Sequence, residues 1–382
     1  MHTPPQCKET VESILRALAP RLDALITPAL VLDLDLVRHN VRAMRELAGA
    51  RRWRPHIKTT KHPEILRVLL DEGVSTIKCA TLDELAMALD AAGERPLDVL
   101  VAYPLQHATT LAAARLTAQH PHCTVRLLID SPTHLERTDA WLDGAPTRLS
   151  AMLDVDVGMG RTGTVAKQWT TTGARNLDLV GLHGYEGHLS WAQSEQAALG
   201  YADLVQLASR VDFEVRWVVT SGTHAFHHAL ADDALRSGPW QHQISPGTVV
   251  LSDLRSAPAA ALVGLRQAAF VLSRVIATPS SARVTLDAGS KALNPDCPPP
   301  GCAVVGHPLL RPLAASEEHR PCETSDAVAP ALGDIVALVP EHVCTTVNLY
   351  RHAQLVAGDR DLGTTDITAH SRTHDARAFA LR

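Results

Sequence analysis

The sequence predicts an α/β protein: a (β/α)8 TIM-type barrel with a second, mostly antiparallel β domain. Three observations point there. Short apolar runs alternate with helical patterns over roughly 200 residues, the beat of βα units around a parallel sheet. No GxGxxG follows the first run, which disfavours a dinucleotide-binding open sheet. Near residue 245 the texture changes to short strands broken by Pro and Gly.

In order, the strand-like runs are Ala29–Asp35, Trp53–Lys58, Thr76–Ala80, Asp98–Tyr103, Thr124–Asp130, Ala151–Gly158, Leu179–Gly187 and Val215–Ser221. Helical patterns such as Leu36–Ala48, His62–Asp71, Leu82–Ala92 and Ser194–Ser209 separate them. Eight such strands fit a closed barrel. Beyond them, QISPGTVVLSD, AAFVLSRVIATP, ARVTLDAGSKAL, AVVGHPLL and GDIVALVPEH read as antiparallel strands. The expected division is a barrel over 27–245 and a β domain built from 1–26 plus 246–382.

Composition narrows the function. With 382 residues, 46% hydrophobic and 20% charged, the chain has material for a large core and is not globally disordered. A net charge of −5 argues against a nucleic-acid or anionic-membrane partner. No apolar run is long enough for a membrane span, and MHTPPQCKET lacks the pattern of a secretory signal, so a cytoplasmic protein is expected. Seven cysteines without a CxxC pair make a poor disulfide framework or zinc finger.

In a barrel, chemistry sits where strands end. Lys58 ends the second run in RPHIKTTK, where partial desolvation favours an amine nucleophile; pairing of Lys58 or Lys61 with a surface carboxylate is the plainer alternative. DVDVGMGRTG turns tightly on its glycines and delivers Arg161. HGYEGH groups His183, Tyr185 and His188, and TSGTH offers Ser221, Gly222 and Thr223 as donors to a phosphate. In PEHVCTTVNLY, His342 and Cys344 would face the same way if the segment is a strand, a soft donor pair suited to zinc. Taken singly, each has an ordinary structural reading as well.

Their order carries more. TPALVLDLDLVRHN, RPHIKTTKHPEI, DVDVGMGRTG, HGYEGHLSW, the Ser-Gly-Thr loop, ISPGTVVLSD, DAGSKAL and VPEHVCTTVNLY follow one another over residues 27–350. Together they resemble the D-threonine aldolase / D-serine dehydratase family of fold-type III pyridoxal-phosphate enzymes, which have the alanine-racemase-type fold. The resemblance implies that Lys58 holds pyridoxal 5'-phosphate as an aldimine and that Arg161 and Tyr185 line its ring. It places Ser221, Gly222 and Thr223 in the phosphate region, and His342 and Cys344 as a divalent metal pair beside the substrate. Thr60 stands where the family usually has His. The His-x-Cys spacing resembles the dehydratases, whereas the aldolases resemble His-Cys-Asp.

The implied reaction is a zinc-assisted elimination on a β-hydroxy D-amino acid such as D-serine, giving a 2-keto acid and ammonia, with Lys58 taking the α-proton. The alternative is retro-aldol cleavage of a D-threonine or 3-hydroxy-D-aspartate type of substrate to glycine and an aldehyde, with His188 as base. A metal-independent racemase or a non-catalytic cofactor-binding protein lie further off. A homodimer is implied by the resemblance.

Overall fold

The computed structural model describes residues 6–49, 51–169, 173–325 and 329–370. The described residues fall into two compact units: one takes in 6–43, 59–68 and 248–370, the other 44–58 and 69–247.

The second unit holds seven parallel strands paired in chain order: Thr76–Cys79, Leu97–Val101, Cys123–Ile129, Leu149–Val155, Leu177–Gly184, Trp217–Thr220 and Gln241–Ile244. An eighth stave joins its two edges. Trp53 bridges Ile244 and His56 bridges Lys78, both in parallel. Arg54 N–H donates to Ile244 O at 2.9 Å, and Ile57 N–H donates to Lys78 O at 2.8 Å. Pro55 has no N–H to give, so this stave is a broken ladder and not a full strand.

The barrel class therefore stands, with one change of membership. The run Ala29–Asp35, expected as the first barrel strand, forms Ala29–Asp33 in the sheet of the other unit, and Gln241–Ile244 completes the ring in its place. Both discrepancies have one cause. Ala29–Asp33 is buried on both faces and reads like any parallel strand. Gln241, His242 and Gln243 are polar and satisfy one another's neighbours instead: Gln243 accepts from Arg54 Nε at 2.7 Å, and His242 lies 2.9 Å from Thr220 Oγ1. The interior pairs an apolar cluster, Leu100, Leu128, Met152 and Val219, with buried ionic groups. Arg54 and Arg126 both donate to Asp98, which their charges hold below the usual carboxylate range despite its burial.

The other unit is a nine-stranded sheet. Its main path runs Leu310–Pro312, Arg320–Thr324, Arg283–Leu286, Ala269–Ser280, Ala29–Asp33, His352–Ala357, Arg360–Asp366. Ile335–Pro340 also pairs with Ala269–Ser280 and carries Cys302–Val304 on its far side. All these pairings are antiparallel except Ala29–Asp33 with His352–Ala357. The helix Gln6–Leu18 buries Cys7, Val11, Ile14 and Leu18, a spacing of three and four, against Val31, Phe270, Leu272 and Val356. Among the described residues, no helix is long and apolar enough to cross a membrane.

Candidate functional site

The residues of interest form two sets, one in each unit. In the barrel unit, Lys58 follows the broken stave, and its N–H donates to His56 Nδ1 at 3.3 Å. Three cations surround the ring of Tyr185: Lys58 Nζ lies 5.8 Å from its centroid, Lys78 Nζ 5.3 Å and Arg161 Cζ 5.2 Å. The ring fits where it does because two neighbours lack a side chain. A Cβ on Gly187 would lie 2.2 Å from Tyr185, and one on Gly222 2.9 Å from it. Arg161 is exposed, on a turn in which Gly158 and Gly160 take φ of +103° and +63° and both donate to Asp156 Oδ1. His188 is also exposed, its ring beside Gly158.

Lys78 was not singled out by sequence, and it is the most buried amine of the set at 2% exposure. Its Nζ lies 3.1 Å from His183 Nε2, and His183 Nδ1 lies 2.7 Å from Asp154 Oδ1. The carboxylate keeps the ring proton on Nδ1, so Nε2 is the acceptor for Lys78. Burial, then the charge of Lys58, push Lys78 down to about 7, and burial lowers His183 as well. The signal for Lys78 was available: a lysine between Ile77 and Cys79 in a buried parallel strand has no route to solvent.

The Ser-Gly-Thr loop is held from below. Buried Glu186 accepts from Ser221 N–H at 3.1 Å, from Ser221 Oγ at 2.6 Å and from the Tyr201 hydroxyl. Ser221 sits at φ +67°, an unusual conformation for a non-glycine residue, and this clamp maintains it. Both donors of Ser221 are thus spent on Glu186. Gly222 and Thr223 lie outside this clamp.

In the sheet unit, His342 and Cys344 do not lie on a strand as expected. Val343–Val347 is a short helix with His342 at its extended N-cap position. Asp253 Oδ2 accepts the Val343 N–H at 2.9 Å and starts the turn. The bend at the cap brings imidazole and thiol close enough for each to shift the other's protonation. Cys344 Sγ also lies 3.1 Å from Thr59 Oγ1, the residue that follows Lys58 in the chain, and 3.6 Å from Thr248 Oγ1. Burial works against both charges, but the pairing prevails: His342 rises to about 9 and Cys344 falls below the ordinary thiol value.

A second arrangement shares His342. Ligand atoms of Asp296, Cys297 and His342 all lie within 4.8 Å of one another. A guanidinium already stands among them, however, with Arg255 3.1 Å from Cys297 Sγ, 3.4 Å from His342 Nδ1 and 3.7 Å from Asp296 Oδ2. Burial pushes the Cys297 thiol up to about 11. A divalent ion there would meet a fixed positive charge and a protonated thiol. Asp296 Oδ2, 2.6 Å from His342 Nδ1, instead has the geometry of the outer carboxylate that orients a metal-binding imidazole, leaving Nε2 for a metal shared with Cys344. This donor set, an imidazole and a low-lying thiol, fits a soft divalent ion. The barrel set fits pyridoxal phosphate: a half-exposed amine, a ring seated against two glycines, and a buried amine with hydrogens to spare.

The sequence of residues 32–241 matches the family "Alanine racemase, N-terminal domain", and residues 268–356 match "Putative serine dehydratase domain". A D-threonine aldolase from Arthrobacter sp is 27% identical over 347 residues, covering 85% of this chain and 87% of the aldolase. A D-threo-3-hydroxyaspartate dehydratase from Delftia sp. (strain HT23) is 29% identical over 144 residues, 37% of each chain. Solved variants of a D-threo-3-hydroxyaspartate dehydratase replace a histidine and a cysteine two positions apart by alanine, the cysteine variant being described in its metal-free form; each has a TM-score of 0.71 and 21% identity over 90% of this chain, and 95% and 98% of theirs. The D-threonine aldolase of Filomicrobium marinum has the same fold, with a TM-score of 0.79 and 24% identity over 92% of this chain and 97% of that one.

Proposed function

The chain belongs to the alanine racemase N-terminal domain family of fold-type III pyridoxal-phosphate enzymes, and from that premise we propose that it is a pyridoxal-phosphate- and zinc-dependent dehydratase of a β-hydroxy D-amino acid. The coarser statement, a lyase acting on small D-amino acids, agrees with both kinds of relative. The observation that carries the finer one is the pair His342 and Cys344, at the spacing of the histidine and cysteine replaced in the solved dehydratase variants.

The roles follow from each group's surroundings. Bound pyridoxal phosphate supplies an electron sink that acidifies the α-hydrogen of an amino acid. Lys58 holds the cofactor and accepts that proton, with His56 fixing its backbone. Tyr185 would line the cofactor ring, and Gly222 and Thr223, in the loop that Glu186 fixes, would hold its phosphate. His342 and Cys344 would hold the zinc ion, which when bound would supply Lewis acidity to help a hydroxyl leave. Asp296 keeps the imidazole aligned, and Thr59 steadies the thiolate. Arg161 and exposed His188 are available to the substrate. The active form is a homodimer in the cytoplasm.

The experiment is product identity from D-serine, D-threonine and D-threo-3-hydroxyaspartate, with and without added zinc. A 2-keto acid and ammonia are expected. Glycine and an aldehyde would replace this reading with the aldolase one, in which His188 takes the β-hydroxyl proton.

A further inference from the structure

Lys78 has a feature that the roles above do not use. An ammonium has three hydrogens to donate and a neutral amine two. Among the described residues, Lys78 Nζ has one hydrogen-bond acceptor, His183 Nε2 at 3.1 Å. Only 2% of the residue is exposed, so bulk solvent meets little of the shortfall. The nearby acids are committed elsewhere: Asp154 to His183, and Glu186 to Ser221 and Tyr201. Both His183 and Asp154 are buried, and among the described residues Asp154 Oδ2 has no hydrogen-bond partner to carry a proton onward. They act as a strut that fixes where the amine stands, and it stands by the same ring as Lys58.

A buried amine with hydrogens left over, in a cup already lined by Lys58 and Arg161, calls for an anionic oxygen. On pyridoxal phosphate, the phenolic oxygen is borne by the ring carbon next to the one carrying the aldehyde. Whatever amine binds that aldehyde has the oxygen beside it. We propose that Lys78 is a cofactor-binding residue whose amine donates a hydrogen bond to the phenolate oxygen of pyridoxal phosphate and keeps that oxygen ionised. The inference rests on the reading of Lys58 as the lysine that carries the cofactor. Lys78 is held near the midpoint between its charged and neutral forms by burial and by Lys58, so an adjacent anion draws it to the charged one.

The test is the absorption spectrum of the purified protein saturated with pyridoxal phosphate, followed by borohydride reduction and peptide mapping of the fixed cofactor. Wild type is expected to show the long-wavelength band of the ionised phenolate, with the label on Lys58. In K78M the label stays on Lys58, the band moves to the shorter wavelength of the neutral phenol, and cofactor affinity falls by about 10–100-fold, the range for a lost charged hydrogen bond. K78R restores part of the long-wavelength band. H183N, which removes the strut and keeps the amine, shifts the spectrum the same way and serves if K78M does not fold. An unchanged spectrum in either variant, or a wild-type label on Lys78, overturns the inference. A wild type that takes no label on Lys58 or Lys78 instead overturns the reading of the barrel site as a whole.

Discussion

At the scale of single residues, two cysteines compete for the same histidine. Cys344 is pulled toward the thiolate by the charge of His342 despite its burial, whereas Cys297 sits against Arg255 and is held protonated by burial. Metal binding needs the thiolate. We therefore expect C344A to lose zinc, D296N to bind it about 10–100-fold more weakly, and C297A to bind it normally, by competition with a chromophoric chelator. Equal losses in C297A and C344A would place the metal in the Asp296–Cys297–His342 cluster. Cys344 was visible in the sequence through its spacing. Asp296 was not, because it reaches His342 from 46 positions away and nothing local marks it.

Among the elements, the loop after Trp217–Thr220 shows how a short polar stretch takes an unfavourable backbone. Ser221 at φ +67° costs on the order of 1–3 kcal/mol, offset by the two donors it gives to Glu186. A glutamine offers one carbonyl oxygen where the carboxylate offers two. E186Q is therefore predicted to destabilise the fold by about 1.5–3 kcal/mol and to weaken cofactor binding about tenfold or more, read by thermal melting and by titration with pyridoxal phosphate. Unchanged cofactor affinity alongside a lower melting temperature would reduce Glu186 to a purely structural support. The sequence pointed to this loop but not to its support, because a local reading of SGT could not include a carboxylate 35 positions earlier.

For the whole molecule, buried neutral histidines set a pH dependence. His62 Nδ1 accepts from Glu64 N–H and faces Thr365 through Nε2, and burial lowers it to about 4. His242 lies between Arg52 and Thr220, and burial lowers it to about 3. Both ordinarily titrate at 6.5, so below that value the unfolded chain takes up protons that the folded one refuses. The contribution of these two histidines is fully present above 6.5 and declines on acidification, by up to about 1.4 kcal/mol per pH unit for each group. The melting temperature is expected to fall between pH 7 and about pH 5.5; a flat or rising trend over that window would falsify this account. Groups raised in the fold act in the opposite sense: His342, at about 9, adds stability as pH falls toward 6.5, and Asp33 and Asp253, raised by burial, do so between their folded values and 3.8.

By itself the sequence determined the fold class and the order of the chemical groups, because apolar periodicity, glycine turns and motif spacing are local properties of a chain. It could not assign Ala29–Asp33 and Gln241–Ile244 to their sheets, since burial on both faces looks alike in either sheet and a polar strand carries no apolar signature. Nor could it pair Lys78 with His183 across 105 positions, or His183 with Asp154 across 29. Those meetings depend on which strands lie side by side in the closed ring. Only the tertiary structure decides that, because the free energy of burying a charge depends on the partner that reaches it.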